Sequence, residues 1–195
     1  NKGGKNNLLA VRSENRPESS RWYPGAGLYR NVHLLVTGRT HVPVWGVHIT
    51  TPHVETAYAT VHLQTEVAGA DDDSIEIATH IYDPQGNEVA VRKTTGHNPD
   101  GYIYTQNILI ERPLRWSPET PYLYTAKTVV SKGVQQLDCC TTRFGIRSIE
   151  IVAGKGFYLN GQRRKFQGVC NHHDLGPLGA AVNIAALRHQ LQLLK

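Results

Sequence analysis

Hydrophobic and polar residues alternate over much of the middle of this chain, which is the pattern of β-strands that bury one face. The alternation predicts seven strands, at residues 48–51, 58–68, 74–82, 88–93, 102–110, 123–130 and 135–143. Two of them show it most clearly, and their predicted inward side chains are Val61, Leu63, Thr65 and Val67 in one and Ile75, Ile77, Thr79 and Ile81 in the other. These stretches predict an antiparallel β-structure with a shared core.

Turn signals separate the predicted strands. Residues 83–87 read Asp-Pro-Gln-Gly-Asn, in which Pro presets φ while Gly and Asn tolerate positive φ. Lys132-Gly133 marks a second turn. Seven short strands over about 110 residues are typical of an immunoglobulin-like sandwich, although the Cys…Trp…Cys spacing of antibody domains is absent. We therefore predict a mostly β fold, with an immunoglobulin-like antiparallel β-sandwich over residues 36–150.

Two further apolar stretches precede the sandwich, at residues 7–13 and 28–37, and each predicts a strand. A loop at residues 16–27, rich in Pro, Ser and Gly, lies between them. Two strands are too few for an independent domain. We therefore predict that residues 1–35 are the end of an earlier β-domain.

Residues 151–195 predict a different kind of unit. Asn160-Gly161 predicts a tight hairpin turn, because these residues adopt the positive φ angles that such a turn needs. The second hairpin strand, at 165–170, would deliver a polar cluster at 171–174, and a helix capped by Asn183 follows. We expect the apolar stripe of this helix to pack on the hairpin, the sandwich or a second chain; it consists of Ile184, Leu187, Leu191 and Leu194. A strand, a polar tip and a helix in this order begin a (β/α) barrel, so we predict the truncated start of one.

Composition and charge narrow the class of protein. The chain has 195 residues, a net charge of +5, 18 Gly and 10 Pro, which fits one or two β-rich globular domains. Arg163-Arg164-Lys165 is the only basic run, which argues against nucleic-acid binding. No apolar run reaches the ~20 residues of a membrane span. The sequence contains no Met, so we expect a piece of a longer product.

The three cysteines do not form a disulfide framework. Cys139 and Cys140 are neighbours, and neighbouring residues on a strand point to opposite faces, so at most one of them could meet Cys170. We expect free thiols, with Cys139 or Cys140 as a small core residue.

Five segments stand out in order along the chain. They are Ser-Arg-Trp-Tyr-Pro-Gly-Ala-Gly-Leu-Tyr-Arg-Asn-Val at 20–32, Trp-Ser-Pro-Glu-Thr-Pro-Tyr-Leu-Tyr at 116–124, Thr-Arg-Phe-Gly-Ile-Arg at 142–147, Phe-Tyr-Leu-Asn-Gly at 157–161 and Gly-Val-Cys-Asn-His-His-Asp at 168–174. Together they resemble the landmarks of glycoside hydrolase family 2, which includes β-galactosidases, β-glucuronidases and β-mannosidases. The resemblance covers essentially the whole chain and is greatest to β-galactosidases of gut bacteria. It implies the end of a jelly-roll sugar-binding domain at 1–35, the immunoglobulin-like domain at 36–150 and the start of a (β/α)₈ catalytic barrel at 151–195.

The resemblance implies that the parent protein is a retaining exo-glycosidase, most closely a β-galactosidase that hydrolyses terminal β-galactosides. Such enzymes use a general acid/base and a nucleophile about 5 Å apart. Both are glutamates on later barrel strands in the family, so we expect them to lie outside this chain. We therefore expect the fragment to be inactive and the sandwich to be a structural spacer. We expect no cofactor in this fragment, whereas the resemblance implies Mg²⁺ in the full-length enzyme, with ligands in later barrel segments. The implied partner is a β-galactoside or related glycan, and we expect no nucleic acid and no membrane as partners. A homo-oligomer stays open. The compartment also stays open, with the bacterial periplasm and the cytoplasm as the two candidates.

The resemblance also supplies candidate substrate-binding residues. His172 matches a family position that lines the sugar pocket, with Asn171 and Asp174 close by, while Arg21 and Trp22 fall in a loop that approaches the barrel mouth. The alternatives are structural: a histidine that packs at a strand end, Asp174 as a turn cap or as the group that orients a histidine, and Trp22 packed at a domain junction. A metal site at 172–174 is disfavoured, because adjacent histidines chelate poorly and no second ligand pair is near.

A second class of function also fits the sandwich, namely a free-standing module that binds carbohydrate or another protein. Such a module has no need of a strand, a polar tip and an apolar-striped helix after residue 150, which favours the enzyme fragment. We assign Trp45 and Trp116 to the sandwich core or its edges. Arg143 and Arg147 are expected to donate to backbone carbonyls between domains. Exposed strand edges leave strand exchange or dimerisation open.

Overall fold

The structure is a computed structural model, and it describes residues 8–14, 18, 27–28, 30–70, 74–96, 102–170, 175–179, 181 and 183–195. The chain divides into two compact units. One is continuous, from Val36 to Gln167, and the other combines Asn1–Leu35 with Gly168–Lys195. The continuous unit contains a sandwich and a hairpin, and the other contains the α-helix that the structure describes.

The continuous unit is built on seven antiparallel strands in two sheets. The strands are β1 (Val47–Val54), β2 (Tyr58–Glu66), β3 (Ile75–Tyr82), β4 (Glu88–Thr95), β5 (Ile103–Glu111), β6 (Tyr124–Lys132) and β7 (Gln135–Phe144). One sheet has the order β1-β2-β5 and the other the order β4-β3-β6-β7. Each strand that the alternation predicted is present, with ends that differ by a few residues. The mostly β, immunoglobulin-like antiparallel sandwich is therefore confirmed.

The core lies between the two sheets, because side chains from both enter the same clusters. One cluster joins Leu63 of β2 and Ile110 of β5 to Ile81 of β3 and Ala126 of β6. All the side chains predicted to point inward from β2, from β3 and from the residue that follows β2 are buried. They are Val61, Leu63, Thr65, Val67, Ile75, Ile77, Thr79 and Ile81. Because a slip of one residue would expose this whole set, the alternation also determines the register of the strands.

Side-chain hydrogen bonds hold the outer strands to segments beyond their own ladders. The Thr51 hydroxyl of β1 donates to the backbone carbonyl of Arg147 at 2.9 Å. The Asp138 carboxylate of β7 accepts from the backbone N–H of Val42 at 2.8 Å. These bonds satisfy polar groups at strands that lack a neighbour on one side, which is where a sandwich is most exposed to opening.

A three-stranded sheet follows the sandwich, with the order β8 (Ile149–Val152), β9 (Gly156–Leu159) and β10 (Gln162–Arg164). We call these strands the hairpin sheet. Asn160 (φ 52°) and Gly161 (φ 77°) form the turn between β9 and β10, with the positive angles that were predicted. The prediction of a second strand at 165–170 was wrong, since pairing with β9 ends at Arg164. Strand β8 was not predicted, because four residues are too few to show alternation.

The second unit contains a 3₁₀ turn at Gly176–Leu178 and the helix α1 (Ile184–Leu194). Asn183 caps α1 as predicted, since its side-chain oxygen accepts from the backbone N–H of Ala186 at 3.1 Å. No residue of α1 is buried. Of its apolar stripe, Ile184, Leu191 and Leu194 are exposed and Leu187 is half-buried.

Two strands predicted near the N-terminus are not formed in the described residues. Residues 8–13, 28 and 30–37 have no regular secondary structure, and Leu34 and Val36 are 90% and 83% exposed. An apolar run without a partner strand leaves its backbone groups unpaired, so it does not form a strand by itself. Of the two locations predicted for Trp45, the edge is the one observed and the core is excluded, because it lies in the turn before β1 with φ 65° and its side chain is exposed.

The cysteines are free thiols, as predicted. Cys140 is half-buried and packs against the second core cluster, which includes Val67, Ile77 and Val130. Burial, followed by the nearby Asp138, raises the pKa of the Cys140 thiol to about 11. Cys170 is exposed.

Candidate functional site

The residues predicted to bind substrate are Arg21, Trp22, Asn171, His172 and Asp174, and all five lie outside the described residues. Their assigned roles therefore stay predictions. The structure does describe how the sandwich is joined to the hairpin sheet that precedes residues 171–174 in the sequence. We call this region the junction, and it consists of residues 116–120, 145–148, 160 and 164.

Asn160 lies at the centre of the junction. Its side-chain Nδ2 donates to the backbone carbonyl of Trp116 at 2.9 Å, and its Oδ1 accepts from the backbone N–H of Ser148 at 3.1 Å. Its own backbone N–H donates to the Ser148 carbonyl at 3.0 Å. One turn residue therefore satisfies polar groups in two other segments, in addition to forming the hairpin turn.

Trp116 is held tightly on the sandwich side. Its backbone N–H donates to the Ile146 carbonyl at 2.8 Å, and the guanidinium carbon of Arg147 lies 4.9 Å from the centre of the indole ring, within the range of a cation–π contact. A Cβ added to Gly145 would lie 2.9 Å from the Trp116 Cβ. Only glycine therefore allows this approach, and Trp116 lies at the sandwich edge as predicted.

A salt bridge adds a second link across the junction. Arg164 of β10 donates from its two terminal nitrogens to the Glu119 carboxylate at 2.7 and 3.1 Å. The backbone N–H of Glu119 itself, the Ser117 hydroxyl and Arg164 hold the pKa of the Glu119 carboxyl below its usual range. The Glu119 side chain is 57% exposed, so solvent screens this pair and its contribution to stability is small.

The described carboxylates with shifted pKa values are all held as anions. Hydrogen bonds from Asn87 and from His80 lower the pKa of the Asp83 and Glu88 carboxyls, respectively, and the pKa of Glu119 is lowered as stated above. The general acid of a glycosidase needs the opposite shift, because it must stay protonated near neutral pH. These three carboxylates are therefore suited to turns and ion pairs and not to acid catalysis.

The described residues also lack a site for a metal ion. Within the ranges that the structure describes, no group of three or more His, Cys, Asp or Glu side chains could hold one. These residues therefore do not fit the Mg²⁺ that the family resemblance implies for a full-length enzyme. No helix in the described part of the chain is long and apolar enough to cross a membrane.

One open depression lies at the end of the β1-β2-β5 sheet, with a volume of about 470 Å³. Its lining includes the Tyr58 ring, Leu109, Glu111 and Arg112. Arg112 has φ 43°, and its backbone N–H donates to the Ala57 carbonyl at 2.7 Å. The depression is wide open to solvent, and no sequence pattern pointed to it.

The sequence located the junction only in part. The Asn-Gly pair predicted the turn, but nothing in the pattern showed that the Asn160 side chain would bond to Trp116, 44 positions earlier. Arg147 was expected to donate to carbonyls between domains, whereas its guanidinium lies over the Trp116 ring. The Asn160 bond depends on how the sandwich and the hairpin sheet pack, and the Arg147 contact depends on how the segments before β6 and after β7 pack. A local pattern encodes neither.

Comparisons with known proteins agree with this architecture. The family model described as glycosyl hydrolases family 2 matches residues 40–147. The chain is 42% identical over 194 residues to "Beta-galactosidase BoGH2A" of Bacteroides ovatus, covering 97% of this chain and 23% of that protein. It is 35% identical over 190 residues to a putative beta-glucuronidase of Formosa agariphila, covering 97% of this chain and 18% of that protein.

Solved structures show the same similarity. A glycosyl hydrolase family 2 member from Bacteroides cellulosilyticus matches with a TM-score of 0.84 and 32% identity, covering 93% of this chain and 26% of that one. A beta-glycosidase from Bacteroides vulgatus matches with a TM-score of 0.79 and 34% identity, covering 89% of this chain and 22% of that one. The chain thus spans about a quarter or less of the length of these relatives. The sandwich and the five sequence segments, which follow one another in the family's order, agree with these comparisons. The chain belongs to glycosyl hydrolase family 2, as the match over residues 40–147 shows.

Proposed function

We propose that this chain is part of a retaining exo-glycosidase and that its immunoglobulin-like sandwich is a structural spacer between a sugar-binding domain and a catalytic barrel. Three features of the described residues support a structural role. The shifted carboxylates are held as anions, no metal-binding group is present among the described side chains, and the Asn160 side chain joins the sandwich to the hairpin sheet. The two catalytic carboxylates lie outside this chain in this proposal.

The proposed substrate class is terminal β-galactosides. The observation that carries this choice is the 42% identity to a β-galactosidase over 97% of the chain, against 35% to a putative β-glucuronidase. β-Glucuronides are the second candidate, since proteins named as β-glucuronidases recur among the relatives. The two substrates differ in the configuration of the C4 hydroxyl and at C6, where a glucuronide carries a carboxylate. A cationic side chain near C6 would therefore favour the second candidate.

We further propose that His172, Asn171 and Asp174, together with Arg21 and Trp22, contribute to substrate binding in the parent enzyme. An imidazole and a carboxylate can hydrogen-bond sugar hydroxyls, and an indole ring can pack against the apolar face of a pyranose. Any Mg²⁺ of the parent enzyme would be held by residues outside this chain.

The direct test is hydrolysis of nitrophenyl glycosides by the protein encoded by the gene that carries this sequence. We expect release of nitrophenol from the β-galactoside at a kcat/KM at least ten-fold above that for the β-glucuronide. The reverse preference would move the assignment to β-glucuronidase. If the protein hydrolyses no β-glycoside at all, the proposal that it is a glycosidase is refuted. Substitution of His172 by Ala in that protein should raise KM for the preferred substrate.

Measurements on the 195-residue chain alone distinguish a structural spacer from a free-standing carbohydrate-binding module. We expect it to hydrolyse none of the nitrophenyl glycosides and to give no heat on titration with galactose or lactose. Saturable binding of either sugar by the isolated chain would favour the binding module. Measurable turnover by the isolated chain would contradict the absence of both catalytic carboxylates.

A further inference from the structure

The hairpin sheet is too small to be stable without support. Its three strands have four, four and three residues, and isolated assemblies of this size are marginal in water. Two of its apolar side chains, Ile149 and Ile151, are 56% and 81% exposed, and Leu159 is the one member of the three strands that is buried. The sheet therefore lacks a core of its own and depends on contacts with the sandwich.

We propose that the Asn160 side chain is the tether that makes the hairpin sheet fold and move with the sandwich as one cooperative unit. The donor on Nδ2 reaches the Trp116 carbonyl on the sandwich side, and the acceptor Oδ1 takes the Ser148 N–H at the start of β8. Asn is suited to this position because it combines both groups on a short side chain and tolerates the φ of 52° that the turn requires.

The group that Asn160 binds is itself rigid, which a tether requires. Trp116 is fixed through its N–H to Ile146, through the close approach of Gly145 and through Arg147 over its ring. A hydrogen bond to a fixed carbonyl restricts the donor far more than a bond to a mobile side chain does. The Glu119–Arg164 pair crosses the same junction, but its Glu119 side chain is 57% exposed, so solvent screens the pair and it restrains the sheet less.

The chain continues along the hairpin sheet after β10 ends. The Phe166 ring lies 4.6 Å from the Phe157 ring of β9, so the chain follows the sheet for two residues past the end of β10. If the proposed function holds, Asn160 is a positioning residue for the segment that leads to residues 171–174. The coupling itself does not depend on that function.

Hydrogen exchange of the 195-residue chain, followed by mass spectrometry of proteolytic fragments, tests the coupling. In the unmodified chain we expect the amides of β8 and β9 to exchange at least 100-fold more slowly than an unstructured peptide. Substitution Asn160→Gly removes the side chain without straining the positive φ, and it should speed exchange in 149–164 at least ten-fold. Exchange in β3 and β6, measured in the same sample, should change less than three-fold and shows that the sandwich is still folded.

Two matched variants complete the test. Arg163→Ala alters an exposed side chain of β10, three residues after Asn160, and should leave exchange in 149–164 unchanged. Glu119→Ala removes the salt bridge and should speed exchange by less than three-fold. Weak protection of β8 and β9 in the unmodified chain would overturn the proposal, as would an effect of Asn160→Gly no larger than that of Arg163→Ala. An equal loss in β3 and β6 would also overturn it, since Asn160 would then stabilise the whole unit. None of these outcomes depends on glycosidase activity, so failure of the proposed function is separately visible.

Discussion

The Thr79 hydroxyl donates a hydrogen bond to the side-chain carbonyl of Gln106 at 2.6 Å, and the two residues are 0% and 2% exposed. Thr79 belongs to β3 and Gln106 to β5, so this bond crosses from one sheet of the sandwich to the other. The Gln106 Nε2 also donates towards the backbone carbonyls of Ile77 and Arg92, each at 3.1 Å. A buried glutamine thus closes the side of the sandwich where β4 and β5 meet without sharing a ladder.

Substitution Gln106→Leu should destabilise the sandwich by about 2–3 kcal/mol, because the Thr79 hydroxyl would be left buried with its main acceptor removed. Urea unfolding followed by circular dichroism measures this loss. Gln64→Ala, on the exposed face of the neighbouring strand β2, is the matched control and should cost less than about 0.5 kcal/mol. A loss below about 1 kcal/mol for Gln106→Leu would mean that the buried bonds are readily replaced.

Gly145→Ala should destabilise the continuous unit by about 1–3 kcal/mol, since the added methyl would overlap Trp116 in a packed region. The added Cβ would lie 2.9 Å from the Trp116 Cβ and 3.0 Å from the Trp116 Cγ. Both atoms belong to the inner part of the Trp116 side chain, which cannot rotate away freely. Gly168→Ala is the control, because a Cβ there has no neighbour within 4 Å and the residue lacks a positive φ. Equal unfolding free energies for the two variants would show that Trp116 shifts without cost.

The alternation of residues predicted the sandwich well because one face of each strand is buried. Val61, Leu63 and Val67 had to share a face, and a period of two leaves no other arrangement that covers them all. The same reasoning failed for residues 30–37, where an apolar run has no partner strand among the described residues. Strand formation depends on a neighbour, and a single run of sequence does not report whether the neighbour is there.

The junction was accessible to sequence reasoning only through its turn. Asn160-Gly161 predicted positive φ values, and both residues have them. The bonds from Asn160 to Trp116 and Ser148 arise from packing between elements, so no spacing rule would find them. The glycine at position 145 gave no local signal either, since its φ is ordinary and its role is to leave room for an indole ring.

Asp83 should make the stability of the sandwich depend on pH in the acid range. Its carboxylate accepts from the Asn87 side chain and from the backbone N–H groups of Asn87 and Gln85, and these bonds lower its pKa. A lowered folded-state pKa gives stability that is present above the unfolded value of about 3.9 and is lost as pH falls through the folded value.

Comparison with Asp83→Asn isolates this effect, because Asn keeps a neutral acceptor in the same turn. The unmodified chain should be the more stable of the two at pH 6, and the difference should shrink steadily as pH falls below about 4. Urea unfolding at several pH values measures the difference. A gap that stays constant over this range would show that the charge of Asp83 contributes nothing to the turn.

Cys170 and Cys140 should react with maleimide at very different rates. Cys170 is exposed, whereas Cys140 is half-buried with a pKa of about 11, so at pH 8 only about one part in a thousand of Cys140 is the reactive thiolate. We expect Cys170 to be modified first and Cys140 to be protected until the chain is unfolded in urea, as followed by peptide mass mapping. Cys170→Ser should remove the fast phase and leave the slow one unchanged. Rapid modification of Cys140 in the folded chain would mean that strand β7 opens readily, because the thiol is otherwise shielded by the core cluster that it contacts.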